Sequence, residues 1–199
     1  GYRVLLEAGT GMTINYTDSY YAESGAEIVE TPEEVFQADL ILKILPPTLE
    51  EVSMMRPRAT VFSFLHIHKL SLSLLELMSE KKINALAYEL LYDNTGISPF
   101  VTSISEIEGT YSITLAAELL SNAHGGKGIL LGGIPGISPT EVVVIGAGVA
   151  GTMAARAALA MGASVKVFDN DIMKLRTIRH ELGNLVFTST LQPNVLRNV

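Results

Sequence analysis

Short apolar runs alternate with segments of helical spacing along the first hundred residues, the rhythm of an α/β domain whose sheet is mainly parallel. Strands are expected near 2–6, 26–29, 39–44, 59–64 and 83–87. Between them, Thr31-Pro32-Glu33-Glu34 sets a capping threonine before a proline and two carboxylates, the signature of a helix start, and a short helix is expected from Ser71 to Met78. Asp93 to Gly96 and Ser98-Pro99 read as a turn cluster. Ser105-Glu106-Ile107-Glu108 then has capping-box spacing at the head of a long amphipathic helix, which runs to about Asn122 and links two domains. That helix stops at His124-Gly125-Gly126, and a linker from Gly132 to Pro139 carries two prolines.

Beyond the linker the pattern changes. Glu141 to Ile145 is a β-branched apolar run that breaks into Gly146-Ala147-Gly148-Val149-Ala150-Gly151 and then an alanine-rich helical segment. In a Gly-x-Gly-x-x-Gly turn the first glycine allows the tight strand exit, the second lets the backbone approach a pyrophosphate, and the third packs helix against strand. A second apolar strand, Ala163 to Phe168, ends at Asp169, eighteen residues after Gly151. A carboxylate there accepts hydrogen bonds from an adenosine ribose and repels a 2′-phosphate, so NAD is expected rather than NADP. Cofactor contacts are assigned to Gly146, Ala147, Gly148, Val149, Gly151 and Asp169; a glycine-rich turn without a ligand is the plainer alternative.

The fold class is therefore α/β with two domains. Residues 1–137 form a flavodoxin-like or Rossmann-like substrate domain, and residues 138–199 form the first half of a Rossmann dinucleotide-binding domain. Both ends read as cut: the chain opens within a strand at Gly1-Tyr2-Arg3 and closes at Asn194 to Val199 within a helix. The strand at 141–145 belongs in the middle of a complete sheet, so one of its edges should lack a partner.

Composition narrows the classes. A net charge of −7 with scattered basic residues supports neither a nucleic-acid stripe nor a polybasic membrane anchor. With no cysteine among 199 residues, disulfides, thiolate catalysis and Cys-ligated zinc are excluded, and a cytoplasmic location fits. No metal is expected. His66 and His68 could share a face if their strand continued, but no third ligand stands out.

Several ordered blocks, Ala22 to Val29, Ala38 to Lys43, Phe64-Leu65-His66, Ala87-Tyr88-Glu89, Ile104 to Ile107, Leu131 to Gly136, Val144 to Gly151 and Phe168-Asp169, give the chain a resemblance to the alanine dehydrogenase and pyridine nucleotide transhydrogenase family. The dehydrogenase branch resembles it more, through His66 and the Leu131 to Gly136 linker. The resemblance implies reversible NAD-dependent conversion of L-alanine to pyruvate and ammonia, a homo-oligomer, and a cofactor cleft between two domains. It makes Lys43, at the end of a buried strand, a group that faces substrate, against the alternative of a surface lysine. His66 becomes the general acid/base, against an ordinary satisfied histidine. Ser105 and Lys174 fall near the cofactor, against a helix cap and a solvated helix face. Tyr88 and Glu89 line the substrate cleft, or else pack and solvate the surface.

Departures from the family pattern are Ile44-Leu45 where Lys-Glu commonly precedes proline, and Glu108-Gly109-Thr110 where Ala-Gly-Arg is usual. The family's substrate arginine would lie upstream of Gly1 and its catalytic aspartate downstream of Val199, so this chain alone should have little activity. A transhydrogenase nucleotide-binding domain and a non-catalytic NAD-sensing module are the rival readings.

Overall fold

The computed structural model describes residues 1–192; the helix expected at 194–199 lies outside them. The chain divides into two compact units, Gly1–Phe100 and Val101–Val199.

In the first unit, β1 (Leu5–Glu7) pairs in parallel with β2 (Glu27–Val29). Three further strands, β3 (Leu40–Leu42), β4 (Thr60–Ser63) and β5 (Asn84–Ala87), form a separate parallel sheet in that order. The five strands thus lie in two sheets rather than one; β1, β2 and β3 have three residues each, and no ladder joins the pair to the trio among the described residues. The helices are α1 (Asp18–Glu23), α2 (Pro32–Phe36), α3 (Leu49–Met54) and α4 (Leu72–Glu80). Pro32 occupies the start of α2, as its missing N–H and fixed φ favour. Ile41 and Val61 are buried with Val52 and Met55 at the end of α3 and with Leu74 and Met78 of α4. Parallel strands place all their carboxyl ends on one edge, and crossover helices cover the sheet.

The second unit contains most of α5 (Pro99–Leu120), then β6 (Glu141–Ile145), α6 (Val149–Ala160), β7 (Ser164–Phe168), α7 (Ile172–Leu182) and β8 (Val186–Ser189). The sheet order is β6-β7-β8, all parallel. β6 is at its edge among the described residues, with Ile145 exposed. Ala155 and Ala158 of α6 are fully buried with Val165, Val167, Ile178 and Val186; small side chains let this helix sit close on the strands.

α5 departs from expectation in two ways. It begins at Pro99, six residues before Ser105, because a proline at the first helical position initiates rather than interrupts. Ser105 is therefore interior and half-buried, and the capping role read from its spacing is not what it performs. Nor does the helix have one apolar face: Gly109 and Ile113 are buried, while Ile107, Tyr111 and Leu119 are exposed. No helix among the described residues is long and apolar enough to cross a membrane.

Candidate functional site

The glycine turn joins β6 to α6. Gly146 has φ of +108°, a region L side chains rarely adopt, and its N–H donates to Phe168 O at 2.7 Å, which ties the turn to the end of β7. Gly148 precedes the first turn of α6, and a Cβ built there would meet nothing within 4 Å. Gly151 is the reverse case: a Cβ built there would run into the Gly146 carbonyl. Gly148 thus leaves open backbone at a helix N-terminus, and Gly151 allows the close approach of α6 to the turn.

Asp169 follows β7 beside this turn. Its Oδ1 accepts from Asp171 N at 2.8 Å and its Oδ2 from Ala147 N at 2.7 Å. Those two N–H groups, in that order, hold its carboxyl below the usual range, with Lys174 adding a smaller attraction, so it is ionised at neutral pH. A carboxylate offers about four acceptor positions, so Asp169 keeps acceptor capacity beyond these N–H groups. Asp171 caps α7 by accepting from Met173 N and Lys174 N.

A cavity of roughly 440 Å³ lies within the second unit. Ala147, Gly148 and Val149 of the turn line it, together with Lys174 and Thr177 of α7. The space, the open Gly148 backbone and the helix N-terminus fit a dinucleotide phosphate and an adenosine. Ser105 does not line this cavity, although Thr102 and Glu106 of the same helix do.

In the first unit, Lys43 and His66 follow the adjacent strands β3 and β4, whose register pairs Leu42 with Phe62. Lys43 is not a solvated strand-end lysine: its side chain is 19% exposed, and Nζ donates to Oε2 of Glu51. The same Oε2 accepts from Thr48 N at 2.6 Å, and Thr48 Oγ1 accepts from Glu51 N at 3.1 Å, a capping box at the start of α3. Glu51 was not singled out in the sequence, although the Thr48-x-x-Glu51 spacing carries the signal. From the first turn of α3 it supplies a fixed counter-charge, and among the described residues two of the three Nζ donors remain for another acceptor. Thr48→Ala is expected to lower stability by about 1 kcal/mol, measured as a smaller urea midpoint at unchanged slope.

β4 ends at Ser63, before Phe64-Leu65-His66, and His66 has φ of 46° and ψ of 52°. The alternation that would align His66 with His68 is therefore lost in a 3-10 turn over Ile67–Lys69, and their rings lie 6.4 Å apart in T-shaped contact. No group of three or more His, Cys, Asp or Glu among the described residues could hold a metal ion. The His66 ring lies parallel to Phe64 at 6.0 Å and is exposed, and among the described residues no group bonds its ring nitrogens.

Tyr88 and Glu89, just past β5, turn towards this loop. Tyr88 packs on Phe64 at 5.3 Å and on Phe62 at 4.3 Å, and burial pushes its hydroxyl pKa up. Glu89 accepts from His66 N at 2.6 Å and from Leu65 N at 3.1 Å. Burial pulls its carboxyl upward, but N–H groups of Glu89, His66 and Leu65 outweigh it and the net displacement is downward.

The family model for the alanine dehydrogenase/PNT N-terminal domain matches residues 1–108, and that for the C-terminal domain matches residues 112–198. An alanine dehydrogenase of Methanococcus maripaludis is 39% identical over 189 residues, 94% of this chain and 50% of its own length. One from Bacillus subtilis is 34% identical over 193 residues, 97% of this chain and 50% of its own length. Among solved structures, an L-alanine dehydrogenase matches the whole chain with a TM-score of 0.90 and 29% identity, over 55% of its length. A transhydrogenase from Sinorhizobium meliloti shares the fold, with a TM-score of 0.82 and 23% identity over 57% of its length. The chain spans about half the length of the relatives it matches.

Proposed function

The chain belongs to the alanine dehydrogenase/PNT family, and from that premise we propose that it is the substrate half and the first nucleotide-binding half-fold of an NAD-dependent alanine dehydrogenase. The overall reaction takes L-alanine, NAD and water to pyruvate, ammonia and NADH. The observation that carries this reading is the placement of Lys43 and His66 after neighbouring parallel strands, at the edge where α/β folds bind ligands. Residues 1–137 are assigned to substrate and residues 138–199 to nucleotide.

Lys43, charged and anchored by Glu51, would hold the substrate carboxylate or polarise the keto oxygen with its remaining donors. His66, with both ring nitrogens unengaged, would take a proton from water as it adds to the iminium carbon left when alanine gives up its α-hydride, return it to the nitrogen, and take the hydroxyl proton as the C–N bond breaks and ammonia leaves. The cofactor supplies the hydride acceptor. Its adenosine ribose is assigned to Asp169, its phosphates to the backbone of Gly146, Ala147, Gly148 and Val149, with Gly151 fixing the turn. Lys174 and Ser105 are assigned to its surroundings. The cytoplasm and a homo-oligomeric state complete the reading.

Ligand preference tests the nucleotide half. Calorimetry of this chain should show NADH binding and weaker NADPH binding, because the ionised Asp169 repels a 2′-phosphate. In Asp169→Ala, NADH affinity should fall about tenfold or more and the preference over NADPH should vanish, since hydrogen bonds to a charged group are lost. Equal affinity for both nucleotides in the parent chain would count against the assignment. The reaction is tested in the full-length protein; NADH binding without alanine turnover would favour transhydrogenation or NAD sensing.

A further inference from the structure

His66 sits in the left-handed backbone region at a residue that is not glycine, an unfavourable conformation that persists where its surroundings enforce it. Within the turn Lys69 N donates to His66 O at 2.7 Å, and the contacts from outside it come from the dipeptide Tyr88-Glu89 just past β5. Glu89 takes the backbone N–H of His66 with Oε1 at 2.6 Å, and receives Leu65 N–H on both oxygens at 3.1 and 3.2 Å. Tyr88 packs edge-on against Phe64, the ring that underlies the His66 imidazole. The register of β4 and β5, with Ser63 opposite Ala87, brings these residues together from 23 positions away.

We propose that Glu89 is the positioning residue of the acid/base histidine: its carboxylate gathers the Leu65 and His66 amides, fixes the left-handed turn, and so presents the imidazole with its ring nitrogens free. This rests on the reading of His66 as the proton-transfer group. A carboxylate suits the task because it has acceptors only, and amide bonds to a charged oxygen are about twice as strong as neutral ones. A neutral amide in its place would keep one acceptor oxygen and add a nitrogen that cannot take an N–H.

The test is nuclear magnetic resonance of this chain, isotopically labelled. In the parent protein the His66 amide proton should lie downfield, and it should move upfield in step with Glu89 as acid protonates the carboxylate. Because Glu89 titrates below its ordinary range when folded, the clamp is intact above that range and is lost as pH falls through the folded value. Glu89→Gln should abolish that transition, move the His66 α- and β-carbon shifts away from left-handed values, and speed exchange of the His66 amide about tenfold. The Phe62 and Tyr88 ring resonances report whether the variant remains folded. Should Glu89→Gln unfold, the parent titration alone decides: a His66 amide indifferent to the Glu89 carboxylate overturns the proposal, as does unchanged left-handed geometry in a folded variant. These readouts are independent of turnover, so a clamp found in a protein that does not use alanine would sink the dehydrogenase reading and leave Glu89 as a clamp of the His66 backbone without the acid/base role.

Discussion

Gly151→Ala is expected to abolish NADH binding and to destabilise the second unit by about 3 kcal/mol or more. A Cβ there would lie 1.8 Å from the Gly146 carbonyl oxygen, and 3.0 Å from its carbon. Both are backbone atoms, so no side-chain rotation relieves the contact; the strand exit and α6 must move apart. The cost is at the upper end of overpacking penalties, because α6 carries the fully buried Ala155 and Ala158 and cannot shift without opening that core. The same movement separates Ala147 N from Asp169 Oδ2 and dismantles the turn. Urea unfolding and calorimetry read the two consequences. Gly148→Ala is the informative contrast, since its φ of −80° is ordinary and its added methyl meets nothing within 4 Å. That variant should fold with parental stability and still bind NADH more weakly, because the methyl occupies the approach of the phosphates. Parental NADH affinity in Gly151→Ala would remove the turn from the nucleotide site.

His66→Asn in the full-length protein is expected to lower kcat for alanine deamination by roughly 10²- to 10⁴-fold, the usual contribution of a positioned proton-transfer group, with NADH affinity unchanged. Asparagine is the better replacement than alanine here, because it tolerates the left-handed backbone at φ of 46° and leaves the Glu89 contacts in place. A loss expressed only in KM would make His66 a binding group instead.

The layered βα rhythm, the glycine turn and Asp169 were legible because each depends on local chemistry. Alternation marks a strand, three glycines mark a strand-to-helix turn, and an acidic residue closes the following strand. The start of α5 was misread because Ser98-Pro99 satisfies two local rules, ending a turn and opening a helix, and the capping spacing of Ser105 and Glu108 also occurs inside helices. Glu51 was within reach, since Thr48 and Glu51 have capping-box spacing, but its bond to Lys43 depends on how the Ile44 to Pro47 loop folds back. The Glu89 clamp was not legible at all. It is set by a parallel register between strands more than twenty residues apart, and by a left-handed turn at a histidine that no residue preference announces.

Alanine-dependent formation of NADH by the full-length protein tests the central claim most directly, measured beside His66→Asn and with NADP as the alternative acceptor. The account predicts turnover with NAD, little with NADP, release of pyruvate and ammonia in equal amounts, and loss of turnover in the variant. A folded, NADH-binding protein that leaves alanine untouched, or one whose turnover survives His66→Asn, would contradict it.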